Sequence, residues 1–394
     1  MQTHILLEDG TTGIGEVPSG ISTGKQEAAL LPVAEAINNV NEKIAPQLRG
    51  FAAESQYEID KALIELDGTE NKANLGANAI LSVSLAAVDA AAKSQNLPLY
   101  KYITALCGLP TADYSLPHPM LLMLEGGEHA KSARDFQEYM ICPESPGPFV
   151  TKLEVGTKIY HALEAILDGR GFETSVGIEG GFWPQKLNTI QAFAILKEAI
   201  ANSGTEVEKV GMCLDIAANS FLRGKVYQLS GIQQTKNANE LLLLYQDLKN
   251  QFPSLFSLED PFAETDLEGW RAAKELAGMI LVADDLTVTD PKKLKSLVKE
   301  NLFAAVIVKP NQVGTLSETL EFAKMAKKGG LKIIVSHRAG ETNSSLLSDL
   351  AVGIRAEYVK FGAPARGERV AKYNRLLAIE RELKTEPNHT HEHR

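Results

Sequence analysis

Short apolar segments recur through the second half of the chain and give its clearest pattern. They lie at residues 211–214, 255–258, 279–283, 304–308, 331–336 and 357–359. Between and after them, apolar positions recur at helical spacing, as at 316–328, 346–355 and 369–383. Short apolar segments that alternate with helices predict a parallel β-sheet covered by helices.

Each of these segments is followed by an ionisable residue. The six residues are Asp215, Glu259, Asp284, Lys309, His337 and Lys360, at intervals of 44, 25, 25, 28 and 23. A (β/α)₈ barrel uses about 250 residues for eight strand–helix units, so these intervals fit such units. A single acid in this place could be a helix N-cap. Six in succession, including two lysines and a histidine, instead predict a functional site at the carboxyl ends of the strands.

The segment before this series completes the predicted barrel. Residues 120–124 and 136–142 have the pattern of strands, and residues 150–169 and 188–203 have the pattern of helices. The order is strand, strand, helix, helix and then six strand–helix units, which gives eight strands. The predicted fold class is therefore α/β, a TIM-like barrel of the β2α2(βα)6 order.

The first 115 residues predict a separate α+β domain. A hairpin is expected from the run at 3–7, the turn at Asp9-Gly10 and a second run up to Val17. Helical patterns follow at 25–40, 54–66 and 79–93. The loop at 18–24 has two glycines and three hydroxyl groups, so it is either a surface turn or a lid that closes over a ligand. Three prolines in residues 110–119 mark the boundary, which gives domains 1–115 and 116–385. Residues 386–394 are polar and His-rich and are predicted to be a disordered tail.

Composition limits the classes of function. The chain has 394 residues, of which 44% are hydrophobic, and a net charge of −10, so a nucleic-acid partner has no electrostatic support. An anionic substrate would need local positive charge, and bound cations could supply it. The three cysteines have no metal-binding spacing, no apolar run approaches the ~20 residues of a membrane span, and no signal peptide is evident. A cytoplasmic protein with no membrane partner is expected.

Ten segments together resemble the enolase family. They are PSGISTG (18–24), LDGTENKANLGANAILSVSLA (66–86), GGEHA (126–130), QEYM (137–140), IEGG (178–181), SLEDPFAE (257–264), ADDLTVTDP (283–291), VKPNQVGTLSET (308–319), VSHRAGET (335–342) and GERVAKYNRLLAIE (367–380). They run in the family's order from about residue 7 to about residue 384. This is far more specific than any one segment alone.

The resemblance implies a magnesium-dependent dehydration of 2-phosphoglycerate to phosphoenolpyruvate in an enolase-type barrel with an N-terminal capping domain. It implies two Mg²⁺ ions per active site, a small phosphorylated acid as substrate, and a homodimer. The positions that match metal ligands are Asp215, Glu259 and Asp284 for the first ion and Ser22 for the second. A hard cation that prefers oxygen ligands suits these carboxylates.

The resemblance also assigns roles in the reaction. Lys309 matches the base that removes the C2 proton, and Glu179 matches the acid that assists departure of the C3 hydroxyl, with Glu138 beside it. We expected neighbouring positive charge to lower the pKa of Lys309. His129, His337 and Lys360 match substrate-pocket residues, with His337 also a catalytic candidate, and Arg338 matches a phosphate contact. Taken singly, His129, Glu138 and Lys360 could instead be a loop histidine, a salt-bridged strand residue and a surface lysine.

The sequence departs from the family's pattern in several places. The opening strand and the C-terminal extension typical of the family are expected to be missing, so that the chain would be a divergent member. Around the site, this chain has Glu125 where the family has an asparagine, Ile178 where it has an aspartate and Ala339 where it has a serine. These departures leave two alternatives to a glycolytic enolase. One is a paralogue that acts on a phosphonate or a related analogue, and the other is a non-catalytic binding protein.

Overall fold

The computed structural model describes residues 1–20, 26–110, 114–127, 135–144 and 146–385. Its strands are β1 (Gln2–Leu6), β2 (Thr12–Glu16), β3 (His118–Pro119), β4 (Leu121–Glu125), β5 (Glu138–Pro143), β6 (Val210–Asp215), β7 (Leu222–Arg223), β8 (Val226–Leu229), β9 (Gln234–Lys236), β10 (Leu255–Glu259), β11 (Ile280–Ala283), β12 (Ala305–Val308), β13 (Lys332–Ser336) and β14 (Tyr358–Lys360). Its α-helices are α1 (Val33–Asn38), α2 (Ala45–Leu48), α3 (Gln56–Asp67), α4 (Ala77–Ser94), α5 (Leu99–Leu106), α6 (Phe149–Gly169), α7 (Thr189–Asn202), α8 (Ala238–Gln251), α9 (Leu267–Ala272), α10 (Pro291–Leu297), α11 (Pro310–Val313), α12 (Leu316–Lys328), α13 (Leu346–Gly353) and α14 (Gly367–Thr385).

The N-terminal part is a small antiparallel sheet packed on a buried helix. β1 and β2 form the predicted hairpin. Strand β2 lies directly on α4, where a Cβ atom at Gly15 would come within 2.0 Å of the Ser82 carbonyl oxygen. Helix α4 consists mainly of alanine, serine and other residues that are buried along nearly its whole length. Small side chains on both elements therefore allow the close approach of strand and helix.

The barrel has the predicted strand order. Its sheet runs β3-β14-β13-β12-β11-β10-β6-β5-β4, and β5 is antiparallel to both β4 and β6 while the other neighbours are parallel. Strands β3 and β4 are separated by Met120 alone, and the Met120 amide donates to the Val359 carbonyl of β14. The two ends of the sheet are thus one continuous stretch of chain, which closes the barrel. The α/β prediction is confirmed.

Three local features differ from the sequence prediction. The first α-helix begins at Val33 rather than near residue 25, because Pro32 stands at its N-cap and disfavours helical backbone in the residue before it. Helix α5 had no predicted counterpart. The long interval between Asp215 and Glu259 contains the small antiparallel sheet β7-β8-β9 in addition to a helix.

The boundary predicted between residues 115 and 116 falls between α5 and β3, and the two-domain division remains a prediction. The tail at 386–394 lies outside the described residues. Within the described ranges, no helix is both long enough and apolar enough to cross a bilayer.

The topology brings the predicted site residues to one rim. Parallel strands β6, β10, β11, β12, β13 and β14 place Asp215, Glu259, Asp284, Lys309, His337 and Lys360 at or directly after their carboxyl ends. Because β5 runs the opposite way, its first residue, Glu138, lies at the same rim and is paired in register with Asp215. Glu125, the last residue of β4, is paired with Glu138.

Candidate active site

A buried lysine at the centre of the rim contacts three carboxylates. The Lys360 ammonium nitrogen lies 2.8 Å from Asp215 Oδ2, 2.7 Å from Glu259 Oε2 and 3.2 Å from Glu138 Oε2. All four side chains are buried, with at most 5% of each side chain exposed. The structure therefore brings together Lys360, a predicted substrate-pocket residue, the predicted metal ligands Asp215 and Glu259, and Glu138.

One ammonium does not neutralise three buried carboxylates. Burial and the nearby Asp215 carboxylate raise the pKa of Glu259 to about 8, and burial raises the pKa of Glu138 well above its ordinary value. Burial would lower the pKa of Lys360, but the surrounding carboxylates outweigh it and raise that pKa. Glu259 Oε1 is buried with no hydrogen-bond partner among the described residues. An excess of carboxylate oxygens with an unused buried acceptor is a donor set that fits a hard divalent cation.

Asp284, the third predicted ligand, is held by Lys309. The two side chains form a very short ion pair, and Gln312 Nε2 donates to the other Asp284 oxygen at 2.9 Å. The backbone amide of Lys309 donates to Thr289 Oγ1 at 2.9 Å, which fixes the start of the lysine side chain.

The protein's own side chains shift the pKa of Lys309 in the direction opposite to the one expected from positive neighbours. Burial lowers the pKa of Lys309, but the adjacent Asp284 carboxylate outweighs burial and raises it. The sequence argument counted positive neighbours and omitted the acid that lies closest. A lowered pKa requires that the negative charge of Asp284 be balanced by something other than Lys309.

Glu179 and His337 face each other. Arg369, which the sequence did not indicate, contacts the loops that carry them. His337 Nε2 lies 3.5 Å from Glu179 Oε2, and both side chains are almost fully buried. Arg369 of α14, also fully buried, contacts His337 Nδ1 and the carbonyls of Ile178 and Ala339. Arg369 lies in the segment GERVAKYNRLLAIE, but its helical spacing gave no signal that distinguishes it from a surface arginine.

Glu125, one of the departures from the family's pattern, anchors the loop that carries Glu179. Glu125 Oε1 accepts hydrogen bonds from the amides of Glu179 and Gly181, both at 2.9 Å. A Cβ atom at Gly177 would lie 2.0 Å from Glu125 Oε2, so this loop passes directly over the carboxyl group. Burial and the nearby Glu179 carboxylate raise the pKa of Glu125 to about 8.

Arg338, the predicted phosphate contact, is engaged by another residue that the sequence did not indicate. Its guanidinium contacts both oxygens of Glu27, at 2.8 and 3.1 Å, and Asn311 Oδ1 at 3.1 Å. This fork is the geometry in which arginine binds carboxylates and phosphates. The side chain is therefore oriented for an oxyanion, and Glu27 supplies one.

Comparison with known proteins agrees with this geometry. The family model described as "Enolase, N-terminal domain" matches residues 1–103, and "Enolase, C-terminal TIM barrel domain" matches residues 113–393. A protein named "Enolase" from Acidothermus cellulolyticus is 43% identical in an alignment of 396 positions. The alignment covers 97% of this chain and 90% of the relative. The chain belongs to the enolase family. Membership implies a divalent metal, and the carboxylates at the rim provide a fitting donor set.

Two of the site residues expected of an enolase lie outside the described residues. Ser22 falls in 21–25 and His129 falls in 128–134. Their roles remain predictions. The other candidates, which are Glu138, Glu179, Asp215, Glu259, Asp284, Lys309, His337, Arg338 and Lys360, lie at the rim or in the loops that follow its strands.

A second acidic group shares Asp284 with the predicted ligands. Oxygens of Asp260, Asp284 and Asp285 lie within 4.8 Å of one another. Asp260 accepts from the amides of Asp284 and Asp285 at 3.0 and 2.9 Å, and it adopts a left-handed backbone with φ of 42°. A non-glycine residue in this region is strained. Asp260 therefore acts here as a support for the backbone that presents Asp284.

The pH dependence of stability tests the state of Glu125. Because its folded pKa of about 8 exceeds the ordinary 4.5, the folded protein holds this proton more tightly, and its contribution to the free energy of unfolding falls as pH rises between those values. Glu125→Gln cannot titrate. We expect the stability of the variant, relative to the parent protein, to rise between pH 5 and pH 8, by on the order of 1–4 kcal/mol.

Urea denaturation at both pH values measures this difference. Glu58→Gln, at an exposed position of α3, is the matched control for the loss of a carboxyl group that is not buried. A difference for Glu125→Gln that stays constant between the two pH values would show that the buried carboxyl does not carry the extra proton.

Proposed function

We propose that this protein dehydrates 2-phospho-D-glycerate to phosphoenolpyruvate with two Mg²⁺ ions per active site. The observation that carries the proposal is the convergence, at one barrel rim, of Lys309, Glu179 and the carboxylates of Asp215, Glu259 and Asp284 in a member of the enolase family. In this reading Asp215, Glu259 and Asp284 would hold one ion and Ser22 would help to hold the other. The ions supply electrostatic stabilisation of the doubly charged enediolate.

The residues of the chain transfer the protons and bind the substrate. Lys309 takes the proton from C2 as a neutral amine. It reaches that state when Asp284 no longer pairs with its ammonium group, whose proton then passes to solvent. Glu179 gives a proton to the departing C3 hydroxyl, which leaves as water. The guanidinium of Arg338 releases the Glu27 carboxylate and binds the phosphate in the same two-bond geometry. Lys360 remains beside the carboxylates and adds positive charge near the substrate carboxylate.

The substrate and the base are tested together. Purified protein is assayed with Mg²⁺ and either 2-phosphoglycerate or its phosphonate analogue, and product absorbance is followed. Lys309→Met should lower kcat by about 10²- to 10⁴-fold, the range for a general base. Circular dichroism should show that the fold is unchanged. Lys61→Met, exposed on α3, is the control and should keep full activity.

Three outcomes would argue against the proposal. Turnover by Lys309→Met at the parent rate would remove Lys309 from the base role. Turnover of the phosphonate with none of 2-phosphoglycerate would favour the paralogue over the glycolytic enzyme. Failure with both substrates, in protein that binds Mg²⁺ normally, would favour a non-catalytic binding protein.

Comparing the protein with and without metal tests whether Lys360 acts as a counter-ion to the three carboxylates. Lys360→Met leaves Asp215, Glu259 and Glu138 without their common cation, and breaking a buried pair in this way costs about 3–5 kcal/mol. A bound cation can replace the lost charge, and binding to the folded state adds stability. We therefore expect the stabilisation by Mg²⁺, measured as Tm in Mg²⁺ minus Tm in chelator, to be larger in the variant than in the parent.

Asp215→Asn provides the matched comparison for this experiment. It removes a proposed ligand and should reduce the stabilisation by Mg²⁺ instead of increasing it. An equal response of Lys360→Met and the parent protein would show that the lysine does not compete with the ion for these carboxylates.

We further propose a cytoplasmic homodimer. The support is the family and the composition of the chain, with its unpaired cysteines and net charge of −10. Sedimentation velocity at micromolar concentration should give a species of twice the 42.7 kDa chain mass. A single monomer boundary would contradict the dimer without bearing on the chemistry.

A further inference from the structure

The guanidinium of Arg369 is a buried link between two loops of the site. Its nitrogens contact the Ile178 carbonyl at 3.1 Å on one loop, and the Arg338 and Ala339 carbonyls at 2.6 and 2.7 Å on the other. Arg369 also contacts His337 Nδ1, at 2.6 Å, and its Nε lies 3.7 Å from Glu368 Oε1. Arg369 thus joins the backbone next to Glu179 with the backbone next to His337.

The contact with Nδ1 determines the protonation state of the imidazole. A guanidinium has only donors, so His337 Nδ1 must be the acceptor. The ring is then neutral and its proton is on Nε2. Nε2 lies 3.5 Å from Glu179 Oε2, so the imidazole directs a donor towards that carboxylate.

Packing holds the ring in this orientation from a second side. Gly362, with φ of +84°, lies against the imidazole, and a Cβ atom there would come within 2.8 Å of His337 Cε1 and 3.1 Å of Arg369 Cδ. The same Cβ atom would lie 2.8 Å from the Glu179 carbonyl oxygen. The three residues therefore meet around one glycine and fill the space that a side chain there would need.

We propose that Arg369 is a positioning residue that fixes His337 as the neutral tautomer with its proton on Nε2, the ring nitrogen that faces Glu179. The effect of Arg369 on turnover rests on the proposed function, whereas the tautomer does not. His337 holds the acid in place, and Arg369 acts through His337.

The charges around the ring agree with this assignment. Arg369 and Lys360 are positive and Glu179 is its acidic neighbour. Burial, and then the Arg369 charge, lower the pKa of His337 to about 3. A histidine in this setting stays neutral throughout the physiological range and cannot exchange a proton with substrate near neutral pH.

The direct test is ¹⁵N NMR of the substrate-free protein labelled in its histidine rings. The signal of His337 is identified by its loss in His337→Asn. We expect an unprotonated Nδ1, a protonated Nε2 and no titration between pH 5 and pH 8. A proton on Nδ1, or a titration near the ordinary histidine pKa, would overturn the proposal without any variant of Arg369.

Substitution of Arg369 separates positioning from a structural role. Arg369→Met should let His337 titrate or change tautomer and should lower kcat about 10- to 100-fold, as loss of the outer partner of a functional histidine does, with a smaller change in KM. Arg369→Lys keeps one donor and should recover the parent tautomer and part of the loss in kcat. Loss of kcat with an unchanged His337 spectrum in Arg369→Met would contradict the proposal.

Arg375→Met is the matched control on the same helix. Arg375 is partly buried and paired with Asp349 and Glu382, away from the site, so its loss should lower stability and leave the His337 signal unchanged. Because the NMR is measured without substrate, an inactive protein with the expected tautomer would refute the proposed function alone. An active protein with a titrating His337 would refute the tautomer alone.

Discussion

The barrel rim is organised by an excess of buried negative charge. Asp215, Glu259 and Glu138 share one ammonium, and the pKa values of both glutamates are raised because burial opposes their ionisation. Buried charges are costly unless they are paired, so such a group persists only where a fold fixes the partners in place. Here the partners lie at the ends of strands that also form the core. The stability of the barrel and the affinity of the rim for cations therefore depend on the same atoms.

Much of this arrangement could be predicted because it lies at strand ends. An apolar strand followed by a charged residue repeats along the sequence, and the closed parallel barrel converts that repetition into proximity. This holds for Asp215, Glu259, Lys309 and Lys360. The roles of Arg369, Glu27 and Glu125 could not be predicted in this way, because each depends on a contact between segments far apart in the chain. The Arg338–Glu27 pair spans 311 positions, and nothing in the local pattern of either residue indicates it.

The main-chain contacts at the altered positions explain how the site accommodates their side chains. Ile178 and Ala339 stand where the family's pattern has polar side chains, and in the structure both residues offer their carbonyl oxygens to Arg369. A backbone acceptor does not depend on the side chain. Substitution at these two positions therefore leaves the link between the loops intact. Glu125 differs, since its own carboxyl group accepts the Glu179 and Gly181 amides.

The Arg338–Glu27 pair shows how the substrate-free site satisfies its own charges. A buried guanidinium without an anion would bear a desolvation cost of several kcal/mol, and the Glu27 carboxylate offsets it with two hydrogen bonds. Lys309 and Lys360 likewise occupy the carboxylates proposed to bind metal. In both cases a residue of the chain stands in for the charge that a ligand would bring. Because a ligand would have to displace these internal ion pairs, a change in one of them can alter binding without touching the ligand.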